Sequence, residues 1–168
     1  WLTDTVRGAP NKLYSNSTNA EDTAPQYGQA DSLNDFGFVA GGGTNSGDPV
    51  SDSNKTGTNY VVWSWKAGGN KNTFNVDDVG YASAAAAGLD GGTITPTGAS
   101  VGTKQGFSII KYQGNSTAGA NISHGLLEAP KLMIHKSLDQ SRNWYTITTA
   151  IDGSADYLYL NLSNQAND

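Results

Sequence analysis

Gly106-Phe-Ser-Ile-Ile-Lys-Tyr-Gln-Gly-Asn115, Ile122-Ser-His-Gly-Leu126, Ala129-Pro-Lys-Leu-Met-Ile-His-Lys136 and Asn143-Trp-Tyr-Thr-Ile147 are the segments that decide the fold class. Two apolar runs of strand length flank a Gly-rich loop, and a third, aromatic run follows. Each is bounded by Gly, Pro, Asn or Ser, residues that turn the chain at strand ends.

The same signals recur on either side. Tyr157 to Leu162 alternates, which predicts Leu158, Leu160 and Leu162 inward and Tyr157 and Tyr159 on the opposite face. Three leucines on one face, fully buried, would each contribute roughly 1.5–3 kcal/mol. Tyr60-Val-Val-Trp-Ser-Trp-Lys66 has the strongest strand pattern in the chain, with Val61, Trp63 and Trp65 on one face and expected in the core. Leu33 to Val39 reads as a strand through the spacing of Phe36 and Phe38. Strands are also expected at 1–6 and near 11–15, with Gly8 and Pro10 turning the chain between them. Ser17 to Glu21 opens at most a helical turn, stopped by Pro25 and Gly28. Ala82 to Leu89 predicts one or two helical turns ended by Gly88. Gly91 to Pro96 gives a short extended segment, and Val101 to Gln105 leads into the opening stretch. Gly41 to Asn59 is a long polar loop, a place where function concentrates.

About eight or nine short strands without a βαβ rhythm point to an all-β protein. The expected architecture is an antiparallel β-sandwich with a short helical turn near 82–88. The domain expectation is one sandwich over residues 1–168. Because the chain starts at Trp1 and stops just after a patterned strand, it is expected to be a piece of a longer polypeptide.

Composition narrows the function classes. Gly makes up 21 of 168 residues and charged residues only 15%, so turns and neutral polar side chains dominate. The net charge is −5 and the ten Lys and Arg are scattered, which disfavours a nucleic-acid partner. No apolar run has the length of a membrane helix. There is no Cys, hence no disulfide and no thiolate ligand.

Catalytic constellations are not evident. The two Glu, Glu21 and Glu128, are far apart, and a glycosidase needs paired carboxylates across a cleft. The pairs Asp31/Asp35, Asp48/Asp52, Asp77/Asp78 and Asp152/Asp156 lie in turn-rich sequence, where local turn bonds explain them. No Gly-x-Ser-x-Gly elbow occurs. His124 and His135 match no zinc spacing; His124 reads as a hydrogen-bonding turn residue and His135 as an outer-face residue. Asp48 to Asn54 and Asp152 to Asp156 offer oxygen ligands, but without an EF-hand pattern, and a metal-free loop is the better reading. Thus no catalytic residue, cofactor or metal is expected. Asn143, Trp144 and Tyr145 are the candidate ligand-binding residues, because an aromatic ring beside amides can stack on and hydrogen-bond a sugar. A packing face is the competing, and preferred, reading of the same aromatics.

Gly106–Tyr112, Gly114-Asn115, Gly119, His124-Gly125-Leu126, Ala129-Pro130-Lys131 and Asn143-Trp144 together resemble a repeat in virion structural proteins of marine tailed phages, mostly tail-fibre or appendage proteins. Thr5-Val-Arg-Gly-Ala9, Ala20-Glu21, Asn34-Asp-Phe-Gly-Phe38, Tyr60 to Gly69 and Tyr81 to Gly88 match in the same order, so the resemblance covers nearly the whole chain. It implies a jelly-roll or lectin-like sandwich without enzymatic activity and, because the family's sequence runs on into a further strand, a fold lacking one or more C-terminal strands here. The expected setting is the surface or tail of a virion. The expected partners are further copies of the chain, other virion proteins and a host-surface glycan, with no membrane insertion. The runner-up is a carbohydrate-binding module of a secreted or particle-bound protein. One departure is Leu127-Glu128, where the family carries a second Gly after His-Gly-Leu, and an altered turn is expected there.

Overall fold

The computed structural model describes residues 1–23 and 26–163. The stop expected at Pro25 and the close at 164–168 lie outside the described residues. Among the described residues the protein is all-β: nine strands and no α-helix. They are β1 (Gln29–Asn34), β2 (Gly37–Gly41), β3 (Phe74–Val76), β4 (Val79–Tyr81), β5 (Gly98–Gly102), β6 (Phe107–Lys111), β7 (Leu132–His135), β8 (Tyr145–Thr148) and β9 (Asp156–Tyr159). The chain divides into two compact units. One comprises Trp1–Asp4, Gly8–Tyr60 and Pro130–Asp168; the other comprises Thr5–Arg7 and Val61–Ala129. The opening stretch is therefore shared, with β6 in the second unit and β7 in the first.

In the second unit a four-stranded sheet has the order β4-β3-β5-β6, and β3 pairs with β5 in parallel, so this sheet is mixed. Its centre is β5, Gly-Ala-Ser-Val-Gly, buried along its whole length. Ala99 and Val101 form the core with Leu89 and Ala84, against which Phe74, Val76, Ile110 and Leu126 pack. On the other side of β5, Ser100 Oγ donates to Asn75 Oδ1 at 2.8 Å and accepts from Gly68 N at 2.9 Å. Small residues let neighbouring backbone approach this closely. The β3–β4 turn is Asp77-Asp78, both in the left-handed region at φ 47° and 72°, the geometry that a two-residue hairpin with right-handed twist needs. Thr103 N donates to Asp77 Oδ1 at 2.8 Å and its hydroxyl donates to Oδ2.

The segment 82–88 makes hydrogen-bonded turns but no α-helix. Its close is the predicted one: Gly88 sits at φ 69°, Gly88 N donates to Ala85 O and Leu89 N to Ala84 O, a Schellman pattern that drops Leu89 into the core. At the His-Gly-Leu turn the left-handed residue is Gly125, φ 73°, where a Cβ would meet Leu89 and Val101 at about 2.9 Å. Leu127 and Glu128 have no positive φ, so the substitution noted there disturbs no left-handed position.

Tyr60 to Lys66 corrects the strongest strand expectation. It belongs to no strand, and Trp63 and Trp65 are 72% and 66% exposed. The alternation marks a chain fit for a sheet, but a strand forms only where a partner pairs with it, and no described strand does.

The first unit holds the hairpin β1–β2 and the three-stranded antiparallel sheet β7-β8-β9. The expected single strand at 33–39 is in fact this hairpin's reversal. Asn34 pairs with Gly37, Asn34 Oδ1 accepts from Phe36 N at 3.0 Å, and Phe36 stands fully exposed at the tip. The expected strands at 1–6 and 11–15 reduce to single bridges, Leu2 with Leu13 and Lys12 with Asp22, with Gly8 at φ 78° turning the chain. β9 stops at Tyr159, so Leu160 and Leu162 lie in the turn beyond it and are exposed, against the expectation of three inward leucines.

Candidate functional site

The residues proposed from sequence do meet at the start of β8, but not on one surface. Trp144 is 3% exposed. Its Nε1 donates to the carbonyls of Tyr14 and Ser17, both at 3.0 Å, which ties the N-terminal segment to the sheet. Asn143 Oδ1 accepts from Asn161 Nδ2 at 3.1 Å, and Asn161 Oδ1 accepts from Trp144 N at 2.9 Å. An indole whose N–H and faces are enclosed cannot stack on a ligand, so of the three candidate ligand-binding residues Trp144 is a packing anchor inside the first unit. Tyr145 follows on the opposite side of the strand and keeps an exposed ring. Its ring packs edge-on to Tyr159, centroids 5.0 Å apart, and lies 6.3 Å from Tyr157, so the three tyrosines form one patch. His135, paired with Tyr145 across the strands, titrates below the ordinary histidine value because neighbouring chain removes water from its ring and Lys136 adds like charge.

Asp48 pairs with Lys55 at 2.9 Å, Asp78 with Lys66 at 2.8 Å, and Asp152 Oδ1 accepts from Ser154 N and Oγ at 2.9 and 2.6 Å. Among the described residues no group of three or more His, Asp or Glu is arranged to hold a metal ion. His124 is the expected turn residue: its Nδ1 accepts from Leu126 N at 3.0 Å. A cleft of about 470 Å³ adjoins that turn, lined by four glycines and by Asn121, Ile122, Ser123, His124 and Leu126, with no charged side chain among them.

The richer chemistry lies in the first unit, in a cavity of about 290 Å³ lined by Lys12, Tyr14, Asp22, Gln26, Tyr27 and Asp52. The Lys12–Asp22 bridge sets its floor, and alternation along Lys12-Leu13-Tyr14 sends Leu13 into the core and Lys12 and Tyr14 the other way. Lys12 is 1% exposed. Its ammonium donates to Gly28 O at 3.2 Å, lies 3.9 Å from Asp22 Oδ2, and sits 4.3 Å from the Trp1 ring centroid and 5.3 Å from that of Tyr14. A buried ammonium is tolerable only with such compensation. Burial lowers its pKa, and the charges of Asp22 and Asp52 oppose that shift. Tyr14 OH donates to Asp22 Oδ2 at 2.9 Å. Burial, then the bond and charge of Asp22, push its pKa up to about 12.

Asp52 comes from the long polar loop. The loop is braced: Asp52 N donates to Tyr27 O at 2.9 Å, Asn45 N to Gln26 O at 2.9 Å, and Tyr60 OH to Ser51 O at 2.8 Å. Gln26, Tyr27 and Asp52 are exposed at the rim, above Lys12. Sequence reasoning missed this set because its members are dispersed over forty positions and the lysine counted as one more surface cation. The usable signal was the loop itself, singled out by its length and polarity.

The fold and the cavity define an all-β domain with a polar recess. A family model described as a domain of unknown function, DUF7483, matches residues 1–168, and the chain belongs to that family. No curated protein and no solved structure matches the chain.

Proposed function

We propose that the domain is a non-enzymatic structural module of a phage particle, a tail fibre or surface appendage, which assembles with further copies of itself and other virion proteins and contributes to host attachment. In this reading its sheets belong to a lectin-like sandwich, as the resemblance implies. The observation that carries the assembly role is the Tyr60–Trp65 segment. Val61, Val62, Trp63 and Trp65 are 68%, 57%, 72% and 66% exposed, and among the described residues no backbone hydrogen bond involves this segment. An unpaired, apolar segment with strand periodicity is the kind of chain that another strand can add to. The occupant favoured here is a second copy. Tyr60 to Trp65 carries no charge and the adjoining Lys66 is neutralised by Asp78, so identical ribbons meet without repulsion.

Sedimentation velocity over a concentration series tests assembly. A self-associating chain is expected, reverting to monomer in the double variant W63S/W65S with circular dichroism unchanged. A concentration-independent monomer would overturn the assembly role, and failure to detect the parent chain by mass spectrometry of purified virions would overturn the particle. The second reading, a carbohydrate-binding module, is favoured by one observation, the Lys12 cavity with its exposed aromatic rim.

A further inference from the structure

We infer that the Lys12 cavity is a binding site for one neutral hexopyranose unit, floored by Lys12, Tyr14 and Asp22 and rimmed by Gln26, Tyr27 and Asp52. The inference rests on the carbohydrate-binding reading and moves the site away from Asn143–Tyr145.

Four features select this ligand class. The first is a built floor. Lys12 is buried, and its ammonium is held by Gly28 O at 3.2 Å, by the ion pair with Asp22 and by the Trp1 and Tyr14 rings, so it sets a fixed charge beneath the exposed rim groups. The second is charge. Two carboxylates, Asp22 and Asp52, face one ammonium. Their net negative lining disfavours phosphate, sulfate and acidic sugars.

The third is the mixture of donors and acceptors. At the exposed rim the Asp52 carboxylate accepts, and the Gln26 amide and the Tyr27 hydroxyl both donate and accept. A sugar's vicinal hydroxyls each donate and accept, and so can satisfy both kinds of group together. A purely apolar ligand would leave the floor charges desolvated and unpaired. The fourth is shape. Tyr27, 40% exposed at the rim, offers a ring surface for the C–H face of a pyranose, and its backbone is tied to the loop by the Asp52 N to Tyr27 O bond. The volume of about 290 Å³ is at the small end of ligand sites, about 300 Å³ and upward, which suits one ring and not a buried oligosaccharide.

The test uses the whole chain and ligand-observed saturation-transfer NMR with the methyl glycosides of glucose, galactose and mannose, and N-acetylneuraminic acid as the anionic probe. Transfer to at least one neutral glycoside and none to the acid is expected. Tyr27→Ala and Asp52→Asn, both exposed at the rim, are expected to keep the wild-type circular dichroism and weaken binding about tenfold or more. Lys12→Met extends the series if it folds. A glycan array separates the sources: signal on chains ending in the preferred hexose assigns a surface glycan, and signal for the free glycoside alone assigns a free sugar, either of which supports the site. Binding that survives both rim variants overturns this site and leaves the carbohydrate reading standing. Binding to no neutral glycoside, or preference for the acid, overturns both.

Discussion

Replacing Trp144 tests the packing argument most directly. Its indole is buried at 3% exposure, and its N–H bridges two carbonyls, those of Tyr14 and Ser17. Trp144→Phe keeps an aromatic ring but leaves those acceptors without a donor. One buried hydrogen bond lost with unsatisfied partners costs about 1–3 kcal/mol. Trp144→Ala adds a cavity, and such truncations cost about 3–5 kcal/mol. Urea unfolding followed by far-UV circular dichroism reads both, in the order wild type, Phe, Ala. Acrylamide quenching gives a second readout, because the other three of the four tryptophans, Trp1, Trp63 and Trp65, are exposed at 42%, 72% and 66%. One shielded emitter is expected, and it should vanish in Trp144→Phe. If Trp144→Ala unfolds within about 0.5 kcal/mol of wild type, the range of an ordinary surface change, the anchor is refuted.

In the second unit, Asn75→Ala removes the acceptor of Ser100 Oγ and the donor to Asn72 O, and a loss of about 1–3 kcal/mol in urea stability is expected; an unchanged midpoint would sink the claim that this buried pair holds β3 to β5. Alkaline absorbance titration should find Tyr14 among the last of the eight tyrosines to ionise, near its raised value of about 12, and Tyr14→Phe should remove that late step. The sign follows from the raised value: the folded form holds its proton more tightly, so the stability contribution is present below pH 10 and is lost as pH rises through about 12. A wild-type-minus-variant difference centred at pH 10 would show that Tyr14 is not held this way.

Much of the class of fold was legible in the sequence. Short runs bounded by Gly, Pro and Asn announced β6, β7, β8 and β9, and Gly88 announced the turn that Leu89 follows. Local backbone preference and side-chain period determine these, and both are properties of a few neighbouring residues. Which runs find a partner is settled by tertiary structure. Gly98 to Gly102 has almost no apolar signature, yet becomes the buried centre of a sheet because small residues admit close neighbours on both sides. Tyr60 to Trp65 has the strongest signature and stays exposed.

The candidate site divides in the same way. The sequence by itself determined an all-β, acidic, cysteine-free chain, and it singled out the loop at 41–59 and the aromatic end at 143–145 as places to look. Tertiary structure alone turned Trp144 inward, because its N–H found two carbonyls 127 and 130 residues away. It also placed a lysine from position 12 beneath an aspartate from position 52. Burial, charge pairing and cavity shape depend on distances between remote residues, and no local pattern encodes those distances.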